Sequence, residues 1–252
     1  MSGHSKWANI KHKKAEVDRK KGRIFSRLAK EIMVAAKMGG GDVDANPRLR
    51  AGITAAKAVN MPNTNIDRAI KKGIGELGDV TFEEIQYEGY GPGGVAFLID
   101  CLTDNHNRSA SEVRTTLDRN NGNLASSGSV AWMFNRKCRF LIEGENADEE
   151  KLMDIVLEAG ADDLGVEDGV AEIWGAPDAF EAISKALEAA GIVPSEAAVT
   201  RRPSNVIEIK DVKVAEQILR LVDRLEDLDD VQEVTANFEI DDAIADQIEE
   251  EE

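Results

Sequence analysis

Cysteine is nearly absent: Cys101 and Cys138 are the two in 252 residues, and both sit in apolar runs, Phe97-Leu98-Ile99-Asp100-Cys101 and Cys138-Arg139-Phe140-Leu141. That is the setting of inert buried thiols rather than of a disulfide framework. No apolar run reaches the roughly 18 residues a membrane-spanning helix needs, and no apolar segment of a secretory signal follows the basic N-terminus. A cytosolic protein without a membrane partner is expected. Histidine is equally scarce: His4, His12 and His106 have no metal-ligand spacing, neither HExxH nor CxxC occurs, and no serine lies in a G-x-S-x-G turn. Nothing in the sequence brings a nucleophile, a base and an orienting partner together. These absences argue against an enzyme, and no cofactor or metal is expected.

Acid, abundant overall, is scarce at one end. The chain carries a net charge of -17, yet residues 1–37 hold eight Lys, three Arg and only three acids. Over residues 1–80 there are 17 basic and 8 acidic side chains; the remainder has 14 and 40. A basic segment attracts polyanions and an acidic surface repels them, so nucleic acid would meet one end of this molecule.

The hydrophobic period divides the chain. From Lys13 to Met38 it is helical: stepping about 100° per residue puts Phe25, Leu28, Ile32 and Ala36 on one side and Arg27, Lys30 and Lys37 on the other. Gly22 interrupts this helix at a cost of about 1 kcal/mol relative to Ala, marking a hinge between arm and helix. Gly39-Gly40-Gly41 ends it. Asn46-Pro47 signals a second helix to about Val59, with Leu49, Ile53 and Ala56 inward. A third runs from Asn63 to Gly73, packing Ile66 and Ile70 and leaving Arg68, Lys71 and Lys72 outside.

After Asp79 strands appear. Glu84–Tyr87, Val95–Asp100 and Val130–Phe134 read as strands, with a helix opening at a capping box of Ser109 and Glu112. From Arg139 the order is strand, helix, strand, strand, helix, strand, with Asp168-Gly169 as the hairpin turn between the middle strands. That βαββαβ order is ferredoxin-like. A strand at Val206–Ile209, a helix through Leu219, Val222 and Leu225, and a strand through Val234, Ala236, Phe238 and Ile240 then complete the earlier sheet. The expected class is α+β in three domains: a basic helical bundle at 1–78, a discontinuous α+β domain at 79–135 plus 204–240, and an inserted ferredoxin-like domain at 136–203. Residues 241–252 read as a frayed acidic tail. The crossings Asn135-Arg136-Lys137 and Arg201-Arg202-Pro203 should lie close together and form a small basic spot.

Two stretches look chemical and read otherwise. Gly89-Tyr90-Gly91-Pro92-Gly93-Gly94 matches G-x-G-x-x-G, but a strand follows where a phosphate cradle requires a helix. It reads as a hairpin loop carrying exposed Tyr87 and Tyr90. Asp104-Asn105-His106-Asn107-Arg108 reads as turn and cap hydrogen bonding. The binding candidates are therefore at the basic end: Lys6, Trp7, Lys11, His12, Lys13 and Lys14 on the arm, then Arg23, Arg27 and Lys30 on the helix. Lysines around an aromatic suit phosphate contact plus base stacking, although Trp7 suits a core anchor as well. Arg48, Arg50, Arg136, Lys137, Arg201 and Arg202 are secondary candidates.

From Met1 to about Phe238 the chain resembles the YebC family. The resemblance rests on Met1-Ser2-Gly3-His4-Ser5-Lys6-Trp7-Ala8-Asn9-Ile10-Lys11-His12, Gly22-Arg23-Ile24-Phe25, Tyr87 to Gly94 and Thr103 to Arg108. It implies a three-domain fold and a regulator of gene expression. Members are described as probable bacterial transcriptional regulators that bind DNA, or as ribosome-associated factors that help translation through proline runs; a mitochondrial relative is the translational activator of cytochrome c oxidase. The partner expected is accordingly DNA or ribosomal RNA, with the ribosome itself in the second case, bound by a monomer. No helix clusters the Arg, Asn and Gln that read base edges, so the residues themselves favour phosphate contact over sequence-specific readout. A ligand or protein sensor built on the inserted domain is the remaining class.

Overall fold

The computed structural model describes residues 17–78, 81–167, 169–241, 244–245 and 247–248. They form two compact units, one drawn from 15–127 and 217–234, the other from 128–216 and 235–252.

The first unit opens with three helices, α1 (Val17–Gly39), α2 (Pro47–Ala58) and α3 (Asn63–Gly73). Their core is the inner stripe of each: Ile32, Ala35 and Ala36, then Leu49, Ile53 and Ala56, then Ile66 and Ala69, closed by Met61. Asn46 joins two of them. Its Oδ1 caps α2 by accepting from the Leu49 N–H at 3.0 Å, while its Nδ2 donates to the Ala35 and Gly40 carbonyls at 2.7 and 2.9 Å. One buried amide thus satisfies the start of α2 and the end of α1, where backbone groups have no helical partner. Gly73 lets α3 approach α1 closely, since a Cβ there would lie 2.4 Å from the Met33 carbonyl oxygen.

The rest of this unit is a sheet in the order β3-β1-β2-β9, from β1 (Glu83–Tyr90), β2 (Ala96–Thr103), β3 (Asn123–Leu124) and β9 (Val231–Ala236). β2 lies inside the sheet, and Phe97, Leu98 and Ile99 are fully buried. Helix α4 (His106–Arg119) contributes buried Val113 and Leu117. Helix α7 (Val212–Glu226) contributes Ile218, Leu219, Leu221, Val222 and Leu225. The glycine-rich loop is a hairpin connection between β1 and β2. Gly93 and Gly94 hold positive φ, and a Cβ on Gly91 would lie 2.5 Å from the Phe97 ring. Tyr87 is buried rather than exposed on that loop, with its hydroxyl donating to the His106 carbonyl at 3.3 Å.

The second unit holds the ferredoxin-like sheet: β4 (Phe134–Glu143), β5 (Ala161–Glu167), β6 (Val170–Gly175) and β7 (Glu196–Pro203), in the order β5-β6-β4-β7 and antiparallel throughout. Numbered within the insert, that order is 2-3-1-4, with α5 (Glu149–Leu157) and α6 (Phe180–Ala189) as its crossovers. Cys138, Phe140, Ile142, Leu152, Val156, Ile173, Ile183 and Leu187 make its core, and the Phe140 and Phe180 rings stack at 5.0 Å. Full burial of such side chains stabilises by about 1.5–3 kcal/mol each. Asp168 of the expected hairpin turn lies outside the described residues; Gly169 there has φ 75° and Glu167 pairs with Val170. A small parallel pair, β8 (Ile207–Ile209) and β10 (Phe238–Ile240), belongs to the same unit.

Four local expectations are corrected. Residues 131–133 form a 3-10 turn, and the strand begins only at Phe134. The expected strand through Val234 and Ile240 is two, β9 and β10, in different sheets, broken at buried Asn237. Helix α4 is capped by Asn105, whose side chain accepts from the Arg108 N–H, four residues before the expected Ser109. In the acidic C-terminal stretch, Ile244, Ala245 and Ile248 are buried, so its described part is packed rather than frayed.

Candidate nucleic-acid interface

The arm candidates Lys6, Trp7, Lys11, His12, Lys13 and Lys14 lie outside the described residues. The helix candidates are inside, and the structure pairs them. On α1, Arg23 donates to the Asp227 carboxylate and Arg27 to the Glu226 carbonyl. Lys30 donates to the Asp229 carbonyl at 2.8 Å and to Asp230 at 2.7 Å. The outer side of α1 is therefore docked on the acid-rich turn after α7, Glu226-Asp227-Leu228-Asp229-Asp230. Burial lowers the Arg27 guanidinium below its usual range, with Glu226 opposing that shift.

Asp230 is the centre of this contact. Only 2 % exposed, it accepts from Lys30, from Arg108 at 2.6 Å, from the Ser109 hydroxyl at 2.8 Å and from the Thr103 hydroxyl at 2.9 Å. Its own carbonyl accepts from the Leu102 N–H at 2.8 Å. Burial alone would raise its carboxyl pKa, but the hydrogen bonds from Lys30, Arg108, Ser109 and Thr103 outweigh burial and hold it at about 2. Its own hydrogen bond to Asp230, with a second to Asp104, raises Arg108. The Thr103-to-Ser109 stretch is thus turn and cap chemistry joined to a buried carboxylate. Sequence reasoning missed Asp230, because nothing distinguishes it within a run of acids.

The secondary candidates divide. Arg48 binds Glu31 at 2.6 Å and Glu84 at 2.5 Å, and these hydrogen bonds raise its pKa. Arg50 donates to the Val43 and Asp44 carbonyls at 3.2 Å. In the second unit the structure pairs the two expected crossings strand to strand: Asn135 with Arg202, Arg136 with Arg201, Lys137 with Thr200. Lys137 meets Asp162 and Arg202 meets Asp163, each at 2.5 Å, while Arg202 also lies 5.0 Å from the Trp174 ring centre. Arg136 is exposed.

What remains outward in the helical bundle is a different set. Lys57 on α2 and Arg68 and Lys71 on α3 are exposed, Lys72 is half-buried, and among the described residues none of the four forms an ion pair. Arg68, Lys71 and Lys72 stand at helical spacings of three and four, opposite buried Ile66 and Ala69 in sequence period, so α3 presents one cationic face. Cys101 and Cys138 are free and buried; burial pushes the Cys101 thiol to about 12 and raises Cys138, as inert core thiols require. Among the described residues there is no cluster of His, Cys, Asp and Glu able to hold a metal ion, and no helix long and apolar enough to cross a membrane.

Comparison with known proteins covers both parts of the chain. Residues 5–76 match the family described as "TACO1/YebC protein N-terminal domain", and residues 82–238 match "TACO1/YebC second and third domain". A "Probable transcriptional regulatory protein" of Syntrophobacter fumaroxidans is 52% identical over 98% of this chain and 100% of its own length. A protein of the same description from Natranaerobius thermophilus is 54% identical over 97% of this chain and 98% of its own. A conserved hypothetical protein of Aquifex aeolicus, Aq1575, has a crystal structure that superposes with a TM-score of 0.85 at 44% identity, covering 94% of this chain and 97% of the other.

Proposed function

This chain belongs to the TACO1/YebC family, and on that premise we propose that it is a non-enzymatic regulator of gene expression that holds nucleic acid through its basic N-terminal domain. The observation that carries the reading is the charge division: 17 basic against 8 acidic side chains in residues 1–80, and 14 against 40 in the rest. Within that domain the cations fall into two sets. Arg23, Arg27 and Lys30 are engaged by the turn after α7, whereas the arm's Lys6, Lys11, Lys13 and Lys14 and the α3 face of Arg68, Lys71 and Lys72 are the set assigned to phosphate. The relatives' names, probable transcriptional regulatory proteins, support DNA as the target.

A second reading, a translation factor on ribosomal RNA, is favoured by the residue types on offer. They are mostly lysines suited to phosphate, without the bidentate Arg, Asn and Gln cluster of a base reader. If six cations meet phosphates, log affinity falls against log salt with a slope of about -4 to -5. Changing Lys11, Lys13 and Lys14 to Ala reduces that slope by about 2 to 3. A slope near zero in the parent protein, or an unchanged slope in the variant, defeats the proposal. Crosslinking in cells followed by sequencing separates the readings: enrichment at defined promoters supports transcription, and recovery of ribosomal RNA without promoter enrichment supports translation.

A further inference from the structure

We propose that the open end of the β4–β7 ladder, with Trp132, is a second nucleic-acid contact that stacks an unpaired base of a single strand. The proposal rests on the reading of this chain as a nucleic-acid-binding protein, but it concerns a different unit and a different chemistry.

Trp132 is 69 % exposed in the 3-10 turn that leads into β4. Its Nε1–H donates to the Ser129 carbonyl at 3.0 Å. The polar tip is thus satisfied within the protein while the apolar ring faces water, the reverse of the usual surface arrangement, in which the ring is covered and the tip wet. The turn is fixed on its other side, because the Met133 carbonyl accepts from both the Ser204 N–H and the Ser204 hydroxyl, at 2.7 and 2.9 Å. The indole is therefore a plate held in place at the surface.

Beside it runs a cationic ribbon. β6 pairs with β4 only from Cys138 onward, so residues 134–137 pair with β7 alone and extend past the four-stranded sheet as a two-stranded ladder. Arg136 and Arg201 are directly opposite, which places two guanidinium-bearing side chains on one face with Cβ atoms about 4.5–5.5 Å apart. Of the two, Arg136 is exposed, and its guanidinium suits a charge-assisted hydrogen bond to phosphate. On the opposite face Lys137 and Arg202 are held by Asp162 and Asp163. Exposed Ser204, beside the Trp132 turn, adds a hydroxyl. Charge is concentrated here against the trend of the unit. Residues 128–216 contain nine basic and 19 acidic side chains, and five of the nine lie at positions 136, 137, 139, 201 and 202.

An aromatic plate and an exposed arginine within four residues are the two elements of sequence-tolerant single-strand binding, stacking plus phosphate attraction. Four residues apart, the Trp132 and Arg136 backbones are at most about 14 Å apart. A protein partner fits less well: the local apolar surface is one indole with partly exposed Val199 and Val206 among polar Asn135, Arg136 and Ser204, far from what an interface of about 1,600 Å² requires.

The test uses the full-length protein, short unstructured RNA and DNA oligonucleotides, and a blunt duplex, with affinities from fluorescence anisotropy at fixed salt. Trp132→Ala should weaken single-strand binding about tenfold or more and leave duplex binding unchanged, and Trp132→Phe should restore most of the loss. Arg136→Ala should reduce the single-strand salt slope by about 0.7, the contribution of one phosphate. Parent-like single-strand affinity in Trp132→Ala overturns this proposal alone. A parent protein that binds neither single strands nor duplex overturns the functional reading and this proposal with it. If Trp132→Ala keeps its single-strand affinity but loses self-association in sedimentation, the plate belongs to a copy–copy interface and the proposal falls.

Discussion

At the residue scale, Asp230 has a clear energetic role. A buried carboxylate is costly to desolvate, and here the cost is offset by four side-chain donors, two of them cationic. Asp230→Asn keeps the shape but loses the charge, leaving Lys30 without its anion and Arg108 with Asp104 alone. It should cost about 2–4 kcal/mol, read as a lower denaturation midpoint. The pH dependence follows from the depressed pKa. The carboxyl titrates near its ordinary value when unfolded and at about 2 when folded, so its contribution is complete above about pH 4 and lost as pH falls toward 2. The gap between parent and Asp230→Asn should therefore close across that acid window. A gap that persists unchanged at the bottom of it would show that packing, not charge, sets the cost.

At the element scale, α1 illustrates both what periodicity can read and where it stops. Its inner stripe was legible, and Ile32 and Ala36 are in the core as the 3.6-residue period requires, with Phe25 and Leu28 packed against it. The outer stripe was legible as cationic but not as docked, because period identifies a face and not its partner. The partner, the turn after α7, is about 200 residues away in sequence, and four acids in five residues look the same whether they solvate a turn or receive a helix. Local signals fared similarly. The Asn46-Pro47 start and the βαββαβ order were readable from caps and turns, whereas Ser109 was mistaken for the cap that Asn105 provides, since both residue types cap well. Changing Arg23, Arg27 and Lys30 together to Gln should lower stability by about 2–4 kcal/mol, mostly through half-buried Arg27 and Lys30, and leave the salt slope of nucleic-acid binding unchanged. The arm variants should do the opposite. A slope that drops by about two or more in the α1 variant would put these residues on phosphate after all.

At the scale of the whole molecule, one variable acts on two charge patterns with opposite sign. The chain carries -17 at pH 7, so like-charge repulsion among excess carboxylates opposes compactness, and added salt screens it. The exposed ion pairs, such as Lys185 with Glu181 and Lys210 with Glu208, contribute little in high-dielectric solvent and weaken in the same salt. With acids outnumbering bases 48 to 31, repulsion is the larger sum at neutral pH. Raising NaCl from about 0.05 to 0.5 M, which shortens the screening length from about 14 Å to about 4 Å, should therefore raise the melting temperature while nucleic-acid affinity falls. Near the isoelectric point of 4.7 the net repulsion vanishes and only attractive pairs remain to be screened, so the melting temperature should there fall with salt. Scanning calorimetry at the two pH values decides it. A melting temperature that drops with salt at pH 7 would mean that specific ion pairs, the Asp230 cluster foremost, outweigh the diffuse charge, and that the acidic excess is spread too thinly to act as a field.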